Sequence, residues 1–568
     1  MAPRLEAAAR AAWRRVRHPA RGFPGDRGGN LTILFSVLLL PMLIFAGAAI
    51  DYGAAMRMET KLQAATDATA LLLCQTPLTT TNDDLDALAR TTMTGQMGAD
   101  GLVVDPLSIT SNPRQITLTT HKLSTVFFGR ITGTRSINPG AQARCATPMP
   151  RTFEIALVLD NTGSMSNSGN DGVSKISALR SAAKQFVTYV LNNKSFAADT
   201  RIAIVPFSSA VAVDAATYRN ASWVDTQGKS PYHWTNFSGT AAAGFQSRFD
   251  LFAKLQGVVP SWKWAGCFES LPYPQNVSDM ATNGNASLYM PYLAPDEGGA
   301  GTPAGYYAVW NGNYSVNSYI DDDDGTTTGT CPKLSSTDGY PTALSRACKY
   351  SAPRNARPGS LGELGANGPN FGCTTQPLQR LTRNAAVLTG LIDNMVAGGT
   401  TNIHEGLMWG WRTISPKSVF ADGAAYGGNT VNKIIVLMTD GANTWLANGS
   451  SSSKSLISSN GYFINADGSD PDIHFPPANQ NVSTSAQART ALDALTKLAC
   501  ANAKADPANI AIYTIGFSVS SDPIDSQGID LLKTCASQNQ YFQANDSSSL
   551  IGAFNAIAAS IGKLRLTQ

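Results

Sequence analysis

Residues Leu31–Ile50 (LTILFSVLLLPMLIFAGAAI) run for twenty residues without a charge, and nothing else in the sequence so restricts what the chain can become. About 20 apolar residues in a helix cross a hydrocarbon core of ~30 Å. Seven arginines precede the stretch (Arg4, Arg10, Arg14, Arg15, Arg17, Arg21, Arg27) against Glu6 and Asp26, and Asp51 follows it. Positive charge collects on the cytoplasmic side of a span, so this asymmetry predicts a cytoplasmic N-terminus and a periplasmic or extracellular body after Asp51. A cleavable signal peptide is the competing reading, and Ala46-Gly47-Ala48 resembles its cleavage site. The stretch exceeds a signal core of roughly 7–15 residues, and its helical pattern continues unbroken, so an uncleaved anchor in the inner membrane is expected. Pro41 lies mid-span, where it kinks the helix or is satisfied by a neighbour.

Beyond the span, Ala55, Met58, Leu62, Ala65, Thr69 and Leu72 recur at spacings of three and four, which predicts a helix with one narrow packing seam. A helix from Leu31 to Cys74 would be about 66 Å long, the shape of a stalk or of a pilin. Residues 1–30 are then a cytoplasmic basic segment and 31–75 the membrane and stalk helix. Residues 76–150 read as a small β-rich unit, since 101–145 alternate β-formers (QITLTT, STVFF).

The 568 residues suffice for two to four domains. The net charge of +3 is concentrated in the first thirty residues, leaving the remainder slightly acidic; nucleic-acid binders spread basic charge over the folded body, so that class is set aside. Eight cysteines without CxxC or Cys/His spacing read as disulfides of an oxidising compartment. Chain order suggests Cys74–Cys145 and Cys500–Cys535, with Cys267, Cys331, Cys348 and Cys373 paired among themselves.

From Phe153 the texture is that of an α/β protein. FEIALVLD, RIAIVPFS, KIIVLMTD and IAIYTIGFS are apolar runs of buried strands. Between them lie helical patterns: Ile176, Leu179, Ala183, Phe186 and Val190; Leu378, Leu381, Leu388 and Leu391; Leu492–Ala503; and Leu550–Ile561. This alternation predicts a doubly wound parallel sheet over residues 151–565, interrupted by insertions at about 214–375 and 442–485. The first insertion holds four cysteines and Trp223, Trp234, Trp262, Trp264 and Trp310. Those tryptophans could stack on sugars or fill a partner's pocket, but a disulfide-braced core of their own is the favoured reading. Asp321–Asp324 lacks the spacing of a Ca²⁺ loop and reads as a solvated charged turn, and Asn465–Asp472 as another turn.

Three segments fall at the carboxyl edge of the sheet, where such folds bind ligands: Asp160-Asn161-Thr162-Gly163-Ser164-Met165-Ser166, Gly398-Gly399-Thr400-Thr401-Asn402 and Thr439-Asp440-Gly441. Two carboxylates with hydroxyls form an all-oxygen site suited to Mg²⁺ or Mn²⁺, and less to Ca²⁺, with waters or an open position kept. Ser164 as a nucleophile lacks a His or Lys at a motif distance to activate it, so no enzyme is expected.

These segments resemble the metal-ion-dependent adhesion site of von Willebrand A domains, D-x-S-x-S with a distant Thr and an Asp of a later strand. The resemblance implies Asp160, Thr162, Ser164, Thr401 and Asp440 as metal ligands, with Thr162 standing where the family has Ser. It also implies a partner protein whose carboxylate takes the ion's open position. Thr401 is chosen over Thr400 because it directly precedes Asn402. Arg27-Gly28-Gly29-Asn30, the apolar span, Asp51-Tyr52-Gly53 and LQAATDATALLL resemble the N-terminal region of TadG-like proteins of the tight-adherence (Flp) pilus systems. That resemblance implies an anchored pilus-assembly or adhesion component. A minor pilin is the alternative, and Leu34 stands where true pilins carry a glutamate.

Overall fold

The structure is a computed structural model. It describes residues 30–563 except 78, 111–113, 130–132, 147–151, 170, 194–195, 197–198, 299–316, 336–337, 339, 429–430 and 449–452. The arginine-rich segment and Trp310 therefore lie outside the described residues. The chain forms two compact units, residues 1–149 and 150–568.

In the first unit, helix α1 (Asn30–Gln75) runs for 46 residues with Pro41 inside it. Its stretch from Thr32 is long and apolar enough to cross a membrane. Past the span, Ala55, Leu62, Ala65 and Thr69 are buried, but the seam then passes to Leu73 and Cys74, and Leu72 turns outward with 41% exposed. A helix of 3.6 residues per turn drifts off a 3.5-residue seam, which explains the one-position slip. The expected β-rich unit opens instead with a helix, α2 (Asn82–Met97), capped by the Thr81 side chain. Its buried Leu85, Ala89 and Met93 face α1, where the Thr69 hydroxyl meets Met93 Sδ at 3.2 Å. Four antiparallel strands follow. β1 (Leu102–Val104) and β2 (Ser108–Thr110) share one edge of β3 (Gln115–Lys122), and β4 (Gly140–Ala146) lies along the other. Strand β3 alternates half-buried and buried residues, as a strand with one face on a core must. Cys74–Cys145 ties α1 to β4.

The second unit is a six-stranded sheet. Its strands in chain order are β5 (Thr152–Asp160), β6 (Arg201–Phe207), β7 (Gln379–Thr382), β8 (Val431–Thr439), β9 (Ala511–Phe517) and β10 (Tyr541–Ala544). They lie in the order β7-β6-β5-β8-β9-β10, all neighbours parallel except the antiparallel edge pair β7–β6. Successive residues of β5 feed opposite faces. Ile155, Leu157 and Leu159 pack under α3 (Lys175–Asn192), α5 (Ala385–Asp393) and α9 (Ser547–Lys563), while Ala156 and Val158 pack under α6 (Ile403–Ile414) and α7 (Ser485–Lys504). Each fully buried Leu, Ile or Phe contributes roughly 1.5–3 kcal/mol. Helix α8 (Ser526–Cys535) precedes β10 and is joined to α7 by Cys500–Cys535.

Two expectations need correction here. Leu378 and Leu381 belong to strand β7 and its approach, not to a helix; the helix starts after Asn384, whose side chain caps it by accepting from the amides of Ala386 and Val387. Asp321–Asp323 are not a solvated turn: all three are buried. Lys349 meets Asp296 and Asp322 at 2.8 and 3.3 Å, and Arg357 meets Asp321 at 3.0 Å. Buried carboxylates must be paired or hydrogen-bonded, and these are.

The region between β6 and β7 holds one longer helix, α4 (Arg248–Val258), amid irregular chain. Trp223, Trp262 and Trp264 are buried in the core that includes Phe268, Tyr289 and Trp409. The chain leaves and re-enters through one neck: Ala212 bridges both Cys267 and Pro377, the Leu378 amide donates to the Ala212 carbonyl at 2.8 Å, and Cys267 is bonded to Cys373. Cys331–Cys348 braces the interior.

Candidate metal centre

The three loops at the carboxyl edge of β5, β8 and the start of α6 are laced together by main chain. Gly163 N–H donates to the Gly399 carbonyl at 2.9 Å, Gly398 N–H to Asn161 at 2.8 Å and Thr444 N–H to Thr401 at 2.8 Å. Gly399 has φ +81°, and a methyl group there would lie 2.6 Å from the Thr374 hydroxyl, so this position requires glycine. Helix α6 is seated as closely. Methyl groups on Gly406 and Gly410 would meet Phe207 and Val158 at 2.6 and 2.4 Å, and Asn402 caps the helix by accepting from Glu405 N–H at 3.1 Å.

Asp160 ends β5. One carboxylate oxygen accepts from the Thr162 amide at 2.8 Å and the other from the Thr439 hydroxyl at 2.6 Å. The Thr162 and Ser164 hydroxyls are 3.1 Å apart, and Ser164 donates to Asp440 Oδ1 at 2.8 Å. Ser164 thus gives its hydrogen to a carboxylate that is itself engaged. The Thr401 hydroxyl has no hydrogen-bond partner among the described residues, and the residue is 5% exposed. The structure therefore brings Asp160, Thr162, Ser164 and Asp440 into one hydrogen-bonded chain, with the Thr401 loop bonded alongside.

Lys175 and Asp522 join this cluster, and the sequence reading named neither. The Lys175 ammonium, wholly buried, donates to Asp440 Oδ2 at 2.8 Å and to Asp522 Oδ2 at 2.7 Å. Asn167 donates to the same Asp522 oxygen at 2.9 Å. One signal was readable: Lys175 is the first residue of α3, and a cation at the positive end of a helix dipole needs an acidic partner. Asp522, in the turn after β9, gave none.

Electrostatics state what the site lacks. Burial, then the neighbouring Asp440 charge, push the Asp160 carboxyl up to about 7. Burial also raises Asp440, outweighing the charge and hydrogen bond of Lys175. Lys175 is raised: burial opposes its charge, but Asp440 and Asp522 overcome it. Asp522 is lowered, since its bonds to Lys175 and Asn167 outweigh its burial. Burial and close approach thus disfavour the ionised forms of Asp160 and Asp440, and a bound divalent cation would favour them. Among the described residues no group of three or more His, Cys, Asp and Glu is placed to hold a metal, so an ion here would depend on hydroxyl ligands. The donor set, all oxygen with few carboxylates, fits Mg²⁺ or Mn²⁺.

A six-stranded sheet in chain order 3-2-1-4-5-6, parallel except at its β7–β6 edge and with polar loops gathered at its carboxyl edge, is a doubly wound α/β domain. Residues 29–72 match the Tad family model, described as "Putative Flp pilus-assembly TadE/G-like". In this chain that TadE/G-like segment is joined to a doubly wound α/β domain. No curated protein matches it. Solved structures with a similar fold include the pilus adhesin SpaC of Lactobacillus rhamnosus GG, 11% identical over 83% of this chain and 36% of that one, with a TM-score of 0.31. Another is the von Willebrand domain of the type V pilus tip protein Mfa5 of Porphyromonas gingivalis, at 11% identity over 74% of this chain and 98% of that one, TM-score 0.31. A von Willebrand factor type A protein of Catenulispora acidiphila is 9% identical over 81% and 49%, TM-score 0.25. The chain spans little more than a third of SpaC and about half of the last.

Proposed function

We propose that this chain is a membrane-anchored, non-enzymatic component of a Flp-type pilus-assembly system that binds a protein partner through a divalent ion. Asp160, Thr162, Ser164, Thr401 and Asp440 would hold Mg²⁺ or Mn²⁺, and an acidic side chain of the partner would complete its coordination. The observation that carries this reading is the convergence of two buried carboxylates, Asp160 and Asp440, with the Thr162 and Ser164 hydroxyls at one sheet edge. The arginines before the span support a cytoplasmic N-terminus, with the sheet domain outside the inner membrane. The test uses the full chain in detergent, wild type and Asp160→Ala. Mn²⁺ should raise the melting temperature of the wild type alone, and partner capture should be lost in chelator and in the variant. Capture that survives confirmed metal loss refutes the metal mechanism.

The buried Lys175 favours a second reading, a structural pilus subunit in which this ammonium is the resident cation. Lys175→Met separates the two. If a metal fills the site, the variant binds Mn²⁺ more tightly than the wild type, because a competing charge is gone. If Lys175 is the resident cation, the variant loses about 3–5 kcal/mol of stability and Mn²⁺ restores none of it.

A further inference from the structure

We propose that the first unit touches the bilayer a second time, through Phe127 and Phe128, which enter the lipid beside α1 at its interfacial end. The inference rests on α1 being a membrane span. The charge-free stretch Leu31–Ile50 is about 30 Å long as a helix, the thickness of a hydrocarbon core, and Asp51 is the first charge beyond it. Within that stretch one face alone is covered: Gly47 is buried and Ile44 half-buried, while Phe45 and Ile50 are exposed. The cover is the chain just after Ser124–Thr125. Phe128 lies so close that a methyl group on Gly47 would sit 2.7 Å from its Cβ and Cγ. Gly47 is four residues before Asp51, so Phe128 meets the helix one turn, ~6 Å, inside the charge-free stretch.

The rings beside that contact are exposed: Phe127 is 78% exposed and Phe128 43%. The main chain is prepared for the same surroundings. The amides of Phe127, Phe128 and Gly129 donate to the Asp51 carboxylate at 2.9, 2.8 and 2.6 Å. One carboxylate, itself 5% exposed, thus satisfies three successive N–H groups that would find no water among acyl chains. An aqueous loop gains nothing from displaying two phenylalanines on an N–H set already taken from solvent. A wedge at the lipid boundary gains on both counts. Lipid is the occupant that continues the surface of the helix itself, and aromatic rings collect at this level of a membrane.

The experiment uses the full chain in phosphatidylethanolamine and phosphatidylglycerol vesicles. Phe127→Cys, Leu39→Cys and Thr91→Cys variants each carry an NBD fluorophore, and quenching by nitroxides on the lipid acyl chains is read. The label at 127 should lose roughly half or more of its emission, as a group ~5–10 Å inside the interface does. Leu39, mid-span, should be quenched, and Thr91 on α2 should not. Adding Asp51→Asn should reduce quenching at 127 and leave that at 39 unchanged. Quenching at 39 without quenching at 127 overturns the wedge while the span stands; absence at both overturns the span, and the wedge with it. In case F127C misfolds, benzoylphenylalanine at 127 is irradiated in native membranes. Lipid adducts support the wedge, and protein adducts alone overturn it.

Discussion

Acid should loosen the second unit through three buried histidines whose charged forms burial disfavours. His404, on α6, gives its Nε2 hydrogen to the Asn276 carbonyl at 2.7 Å, and its buried Nδ1 accepts no hydrogen bond among the described residues, the Glu405 carboxylate lying 4.0 Å away. His233 lies 2.7 Å from Asp225 through Nδ1, while Nε2 accepts the Arg248 amide at 3.0 Å, so a proton there would face a donor. His474 meets the Leu271 carbonyl at 3.2 Å. Burial lowers all three from the ordinary value of 6.5. A histidine whose folded pKa is depressed contributes its stability above the unfolded pKa, and that stability is lost as pH falls below it. Between about pH 7 and about pH 5.5 a histidine that stays neutral in the fold costs at most about 1.2 kcal/mol. Asp160 and Asp440, both raised, act in the opposite sense, so the decisive measurement is a difference between variants. Urea unfolding of the full chain in detergent, followed by tryptophan emission, should show a smaller loss over this interval for His404→Gln than for wild type, by up to about 1.2 kcal/mol. Equal losses would refute the reasoning, because His404 would then be taking up its proton in the folded state.

Gly410→Ala should destabilise the sheet domain by about 1–3 kcal/mol, since the new methyl group meets Val158 at 2.4 Å, and the melting temperature should fall accordingly. Gly552, exposed on α9 with open space around it, tolerates the same change and serves as the control. Replacing Cys267 and Cys373 by serine should cost about 2–5 kcal/mol and make the chain between them the first site of tryptic nicking. A variant as protease-resistant as wild type would show that the neck holds by its hydrogen bonds alone.

The parts of the fold legible in sequence were those written locally. FEIALVLD reads as a strand buried on both faces, and Asp160 at its end is polar where the apolar run stops. Strand β7 was hidden because Leu378 and Leu381 keep a helical interval with Leu388 and Leu391 across Asn384, so periodicity alone could not find the break. Helix α2 escaped because its buried face is Leu85, Ala89 and Met93, only one strong apolar residue among three. Asp321–Asp323 looked like a turn because their partners, Lys349, Arg354 and Arg357, come about thirty residues later. Asp522 was invisible for the same reason: its lysine is 347 residues away in the chain.

The neck at Ala212 bears on how such a chain can fold at all. Strands β6 and β7 are neighbours in the sheet, yet about 170 residues of sequence separate them. Closing so long a span directly is slow, because its entropy is spent before any contact repays it. Once Ala212 meets Pro377 and Cys267 is oxidised with Cys373, the intervening chain is a closed side ring, and β7 follows β6 as if after a short hairpin. Thiol oxidation thus favours the pairing of β7 with β6, and a copy held in a reducing compartment would close the β6 edge more slowly.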